Sequence, residues 1–307
     1  MKHFLLTLLL ALPLSAEESL RTWTAKDGRT IEGQFVESSN ESVTILRENR
    51  KKVTIPFKML SDDDVTFVRE KIEQGQLDEQ RKKGLKEGPY ADHISGEWEK
   101  MTGADGLQYH FYAGKKLKAG KLYPLCIYLH GASNTGSGLT KREPGANGFM
   151  NEAIYKDHPS FIIAPEAPAG TGSFQKIAPR IFEAIDHLTA NLPIDRNRIY
   201  ITGYSMGARG TWALIAARPD FFAAACPIAG PLGGVKVEAL PKIPIWLQYG
   251  EEDRGEELRA TSEKIKAVNP EFKSTEFPGA GHNGVHGKVA KDPKFYEWLF
   301  AQSRSGN

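Results

Sequence analysis

Apolar and polar residues alternate at two different periods along this chain, and the change of period divides it. Between residues 20 and 57 the segments RTWTA, TIEGQFVES, SVTILR and KKVTIPF are short, alternating and β-rich. Asp27-Gly28, Ser38-Ser39-Asn40 and Glu48-Asn49 separate them, which predicts a small antiparallel barrel or meander. LSDDDVTFVREKIEQ follows as an amphipathic helix, with Ser61 and Asp64 at capping-box spacing. Residues 75–92 (GQLDEQRKKGLKEGPYAD) are polar and charged, and are expected to form a partly helical linker with a solvated face.

From residue 93 onward longer apolar runs alternate with helical patterns. GEWEKMTG and LQYHFYAG, joined across Ala104-Asp105-Gly106, predict an opening hairpin. YPLCIYLHG, FIIAPEAP, IDRNRIYITG, FFAAACPIAG, PIWLQYG and KSTEFPG predict strands. Helices are expected near 149–155, at 177–190, after residue 205, in GEELRATSEKIKAV and near 294–302. Strands alternating with helices imply a largely parallel, doubly wound sheet covered on both faces. The expected organisation is thus a leader at 1–16, a small β domain at 17–74, the linker at 75–92 and an α/β domain at 93–307.

Composition changes this picture little, except at the two ends of the charge scale. The chain has 307 residues, 40% hydrophobic and 25% charged, with a net charge of +2. That is too mild a charge to argue for a nucleic-acid or anionic-surface partner. Lys2 and His3 precede the apolar run FLLTLLLALPL, and Ser15-Ala16 stands before Glu17-Glu18. The run is too short to span a bilayer and has the form of a cleaved secretory leader, so an exported protein, periplasmic or secreted, is expected. Export permits a disulfide, but Cys126 and Cys226 both fall in core-strand runs. With one strand between them they would stand roughly 9.6 Å apart, too far to bridge.

The chemistry concentrates in RIYITGYSMGARGTW, residues 198–212. An apolar, β-branched run turns at Gly203-Tyr204-Ser205-Met206-Gly207 and continues into a helix that ends before Pro219. A Ser at the tip of so tight a turn needs near-absent side chains two residues either side, which Gly203 and Gly207 supply, while Gly210 lets the helix lie close on the sheet. Strand, Gly-X-Ser-X-Gly, helix resembles the nucleophile elbow of the α/β-hydrolases, in which the triad runs Ser, acid, His. His282 and His286 are the histidines that follow Ser205, and His282, directly after a predicted strand, is favoured as the base. Glu251, Glu252 and Asp253 follow PIWLQYG, and Asp253 is favoured as the acid that orients the imidazole. The remaining carboxylates suit a solvated helix start. Backbone N–H groups of Met206 and of Ala132, after LHG, are the expected oxyanion donors, each worth about 3 kcal/mol. His130 is expected to be a hydrogen-bonded core residue.

Two resemblances refine this reading. R-T-W-T, G-x-F-V-E and V-T-I-P-F-x-x-L-S-x-x-D, over about 18–74, are similar to the SLA-homology domain, an SH3-like barrel. That likeness implies a peptide-binding, wall-binding or tethering role. YPLCIYLHGAS, FIIAPEAP, the elbow segment, IPIWLQYGEED and EFPGAGHNGV resemble esterases of the dienelactone-hydrolase and feruloyl-esterase type. By this resemblance Ser205, Asp253 and His282 match the family triad, and Met206 and Ala132 its oxyanion positions. It departs at Tyr249-Gly250, where His-Gly is usual, and after His282, where an aromatic two residues on is absent. The expectation is an exported serine carboxylesterase, without metal or cofactor, acting on acetyl or feruloyl esters of polysaccharide. Its substrate choice would lie in 133–148, 168–174 and the segment after Ala229. A prolyl-oligopeptidase-type peptidase would share the triad, and a binding protein built on the barrel is the rival of another class.

Overall fold

A computed structural model describes residues 20–39, 41–138 and 144–304. The expected leader lies outside the described residues. The chain divides into two compact units after Glu79.

In the first unit β1 (Arg21–Thr24), β2 (Thr30–Ser38), β3 (Ser42–Leu46) and β4 (Lys52–Pro56) pair in sequence order, all antiparallel. Alternation puts Trp23, Val43 and Ile45 on one face, where they are buried with Leu60 and Val68. The last of these belongs to helix α1 (Asp62–Lys82). Ser61 begins that helix by accepting the Asp64 N–H at 3.2 Å. The Asp64 carboxylate does not return to the Ser61 backbone as a capping box would. It accepts instead from Thr24 N–H at 2.6 Å and from the Arg21 guanidinium, so helix and first strand are tied by one buried carboxylate. An antiparallel bridge between Ala25 and Leu60 brings the chain beyond β4 back to β1.

The second unit is built on eight strands in the order β12-β11-β10-β9-β7-β8-β6-β5. These are β5 (Trp98–Thr102), β6 (Gln108–Ala113), β7 (Tyr123–Leu129), β8 (Phe161–Pro165), β9 (Ile194–Tyr204), β10 (Ala224–Ile228), β11 (Ile245–Gly250) and β12 (Phe272–Phe277). The β5–β6 hairpin and its pairing with β8 are antiparallel, and the pairings from β8 through β12 are parallel. Every residue of β7, β8, β10 and β11 is buried, as strands covered on both faces must be. Within β7, Leu125, Ile127 and Leu129 enter one core while Cys126 and Tyr128 enter the other. Helices α4 (Ala178–Asn191), α5 (Met206–Ala217) and α6 (Gly255–Lys266) bury Ile181, Trp212 and Leu258 in the first core. The second takes Ala146 of α2 (Pro144–Gly148), Tyr155 of α3 (Glu152–Asp157), Val285 of α7 (His282–Val289) and Phe295 of α8 (Pro293–Phe300).

Three expectations differ from this. The single helix near 149–155 is two helices, because Asn151 accepts the Ala153 N–H and starts α3 afresh while Phe149 turns into an aromatic cluster with Phe295 and Tyr296. Residues 282–289, expected as loop, form α7 despite Gly284 and Gly287, since Val285 and Val289 one turn apart are fully buried. In the expected linker, α1 runs to Lys82, and Leu85 and Tyr90 are buried in the core of the second unit. Apolar burial there outweighs the solvating pull of the surrounding charges.

Cys126 and Cys226 are both buried and free, on the strands that flank β9. Burial pushes both thiols up, Cys226 to about 12. Neither cysteine will react with a thiol reagent in the native protein, and both will react after denaturation. Intact mass will be identical with and without reductant. A mass lower by two hydrogens before reduction would contradict this strand order.

Candidate active site

The site begins where β9 runs into α5. Ser205 sits between them with φ 58° and ψ −109°, a left-handed conformation that costs a non-glycine residue about 1–3 kcal/mol. Its N–H donates to the Ile228 carbonyl at 2.9 Å, and its carbonyl accepts from Arg209 N–H at 3.3 Å, so the strain is held from both sides. The turn is possible only because two neighbours lack side chains. A Cβ on Gly207 would lie 1.9 Å from the Leu129 carbonyl oxygen, and one on Gly203 would lie 2.5 Å from the Gly207 carbonyl oxygen. Gly210 in turn lets α5 approach Leu129 and Phe174.

The loops after β11 and β12 bring two further side chains to this serine. His282, the first residue of α7, has Nε2 2.8 Å from Ser205 Oγ and Nδ1 2.5 Å from Asp253 Oδ2. Asp253 is held by its own N–H donating to the Gly250 carbonyl at 3.1 Å. At Gly250 a side chain would strike the Ala280 carbonyl oxygen at 2.0 Å, so the tips of β11 and of the His282 loop meet at a glycine. Glu251 and Glu252 do not reach the imidazole. Glu251 accepts the Gly279 N–H at 2.9 Å, bracing the loop that carries His282, and Glu252 is exposed.

His286 lies one turn beyond His282 and faces inward. Its Nε2 is 2.7 Å from the Tyr128 hydroxyl, and its ring stacks on Tyr204 at 4.1 Å and 7°. Tyr204 is thus flanked by both imidazoles, with His282 at 4.9 Å, and its hydroxyl donates to Asn283 Oδ1 at 2.7 Å. Sequence reasoning missed these contacts of Tyr204, which read as a residue of the turn, and of Tyr128, which read as an ordinary strand residue.

Met206 begins α5 and Ala132 begins a short 3-10 turn, Ala132–Asn134. Among the described residues neither backbone N–H donates to a protein acceptor. His130 fixes the second of these. Its Nε2 accepts from Ala167 N–H at 3.0 Å, which leaves Nδ1–H to donate to the Gly131 carbonyl at 2.7 Å. Burial lowers its pKa, as a ring that must stay neutral to accept requires. Glu166, also buried, accepts from Gly138 N–H at 2.7 Å and from the Ser137 hydroxyl at 3.2 Å, tying down the same loop.

Ser205, His282 and Asp253 open onto a cleft of about 200 Å³ that Arg209, Ala229, Gly230, Pro231 and Arg254 also line. The described residues include no group of three or more His, Cys, Asp or Glu side chains placed to hold a metal ion.

Burial, and then the neighbouring His282, push the pKa of His286 down to about 4 from an unfolded value near 6.5. The folded state therefore binds fewer protons than the unfolded chain between those values. The contribution of His286 is complete above about pH 6.5 and is lost as pH falls towards 4, by roughly 3 kcal/mol at most. Denaturant midpoints will fall across that window in the wild type, and less steeply in His286→Gln. An equal fall in both would remove His286 as the cause.

The dienelactone hydrolase family model matches residues 166–290, and the SLA1 homology domain 1 model matches residues 13–76. A poly(3-hydroxyalkanoate) depolymerase C from Paucimonas lemoignei is 32% identical over 121 residues, 35% of this chain and 28% of that protein. A thermostable esterase of known structure superposes with a TM-score of 0.60 at 28% identity, over 67% of this chain and 63% of that one. The feruloyl esterase module of Clostridium thermocellum superposes at 0.56 with 16% identity, over 67% of this chain and 88% of the module, and shares the fold. The chain therefore carries a domain with the α/β-hydrolase fold that is similar over residues 166–290 to the dienelactone hydrolase family, and ahead of it a segment similar over residues 13–76 to SLA1 homology domain 1.

Proposed function

We propose that this protein is an exported serine carboxylesterase acting on polymer-borne esters through Ser205, His282 and Asp253. The unbroken chain from Ser205 Oγ to His282 Nε2, and from His282 Nδ1 to Asp253 Oδ2, carries the reading. In it Ser205 Oγ attacks the ester carbonyl carbon as His282 Nε2 takes the hydroxyl proton. The N–H groups of Met206 and Ala132 hold the oxyanion, aided by the positive end of α5. Collapse of the tetrahedral intermediate expels the alcohol, which leaves with the proton from His282. Water then attacks the acyl-enzyme with His282 again as base, releasing the acid and restoring Ser205. Asp253 keeps Nδ1–H directed at itself and stabilises the imidazolium.

Ester hydrolysis is supported by the dienelactone hydrolase domain and by the similarity to a depolymerase and an esterase. A polymer-borne ester is favoured by the cleft. At about 200 Å³ it is smaller than the roughly 300–1,000 Å³ of sites that engulf a drug-sized ligand. Acetyl or feruloyl groups on polysaccharide are the leading substrates, on the resemblance alone. The leader sequence supports export, and the SLA1 homology domain would tether the enzyme to a peptide or a wall component.

The test is hydrolysis of p-nitrophenyl acetate, methyl ferulate, acetylated xylan and a Pro-containing peptide amide by wild type and Ser205→Ala. Ester turnover will fall at least about a thousandfold in the variant, and Ser205→Ala/His282→Ala will lose little more, because the pair acts as a unit. Turnover retained by Ser205→Ala, or confined to the peptide amide, would contradict the reading. Mass spectrometry of the protein from its native envelope or medium will find Glu17 as the first residue, and a chain starting at Met1 would refute export by cleavage.

A further inference from the structure

The ionisable side chains lining the cleft do not balance. Among the described residues they are Asp253, His282, Arg209 and Arg254, and Asp253 is already engaged by His282. Two arginines, Arg209 and Arg254, are left lining the space in front of Ser205. Arg209 has no carboxylate partner among the described residues. Among the described residues Arg254 meets one carboxylate, that of Glu257 at 3.9 Å, with both side chains more than half exposed. Such a pair contributes little and is easily exchanged for a better one.

Local structure indicates that both arginines are present for what their side chains reach. Arg209 stands one turn after Ser205 on α5, and its Cβ, Cγ and Cδ pack against Gly233, where an added Cβ would lie 3.1–3.2 Å from them. The stem is thereby laid along the segment after Ala229, and the residue lines the cleft. Arg254 adopts φ 54°, ψ 32°, a left-handed conformation that glycine or asparagine adopts with less strain. It follows Asp253 directly, so this backbone turn delivers one side chain to the imidazole and the next to the cleft.

We infer that Arg209 and Arg254 select an ester whose acyl or alcohol part carries a carboxylate close to the scissile bond. The inference rests on the esterase reading and narrows it. A planar, permanently charged guanidinium matches a carboxylate with two parallel N–H···O bonds, and two of them beside one nucleophile fix orientation as well as charge. A neutral acetyl or feruloyl ester leaves both unpaired. An ester on a uronate-bearing glycan, or the half-ester of a dicarboxylic acid, satisfies them.

The experiment compares matched pairs that differ only in charge. On the alcohol side the pair is 4-acetoxybenzoate and 4-acetoxybenzamide, and on the acyl side monomethyl adipate and methyl adipamate. The readout is the ratio of kcat/KM for carboxylate over carboxamide, in wild type, Arg209→Gln, Arg254→Gln and the double variant. Lys264→Gln, an exposed cation on α6, serves as the charge control. The wild-type ratio is expected to be about tenfold in one arm, as a hydrogen-bonded ion pair supplies, and the responding arm names the side of the ester that bears the carboxylate. The ratio is expected to fall with added salt, to drop in each single variant, to reach one in the double variant and to stay unchanged in Lys264→Gln. A wild-type ratio at or below one in both arms, or a ratio the double variant keeps, overturns the inference while Ser205-dependent turnover of the carboxamides leaves the esterase reading standing. Absence of Ser205-dependent turnover of all four compounds overturns both.

Discussion

The second unit depends on one close approach, that of the start of α5 to the end of β7. With hydrogen in place of a side chain at Gly207, the helix N-terminus comes to rest against the Leu129 carbonyl. Everything the site contains is referred to that contact. It goes with the left-handed conformation of Ser205, starts α5 directly after that residue and brings Met206 to the loop that starts at Gly131, where Thr135 Oγ1 lies 3.8 Å from Met206 Sδ. The strain at Ser205 persists because the Ile228 carbonyl and the Arg209 N–H over-determine it, and those partners belong to a strand and a helix that are buried. Gly250 repeats the device on the other side, letting the loop with His282 close on the strand end that leads to Asp253. Two glycine contacts thus bring three side chains from separate parts of the chain within hydrogen-bonding distance.

The polar groups around the relay fall into two sets with different tasks. His130, Glu166 and Glu251 are spent on backbone N–H and carbonyl groups and hold loops in place. Tyr204, Tyr128 and His286 form an aromatic wall behind His282 that water cannot easily enter, which is why burial keeps His286 neutral. Among the described residues that line the open side, the one carboxylate is Asp253, which the imidazole already occupies. The cleft is therefore closed and neutral at its back and cationic at its mouth.

Much of this was legible in the sequence because it rests on local necessity. The GYSMG turn and the near-continuous apolar runs follow from spacing and period, the place of the Cys126 and Cys226 strands on either side of β9 follows from the resemblance to the α/β-hydrolases, and the observed sheet order has the same pattern. The structure also brings Asp253 rather than Glu251 or Glu252 to the imidazole, and His282 rather than His286 to Ser205. What was not legible depends on tertiary contacts. α7 carries two glycines and forms because Val285 and Val289 have a core to enter. Leu85 and Tyr90 sit in a segment too charged to suggest burial, yet they fill the second unit's core. Asp64 accepts from the Ser61 hydroxyl but not from the Ser61 N–H, and caps across to β1 instead, a choice that the position of Thr24 and Arg21 makes possible. Arg209 and Arg254 stand in plain sight beside Ser205 and Asp253, but only the cleft shows that they face it.

The central claim is that Ser205, activated by His282, is the nucleophile. The most direct measurement is covalent labelling by a fluorophosphonate probe, followed by peptide mass spectrometry. The account predicts one adduct per chain, on the peptide containing Ser205, absent in Ser205→Ala and formed far more slowly in His282→Ala. An unlabelled wild-type protein, or an adduct on any other residue, would contradict it.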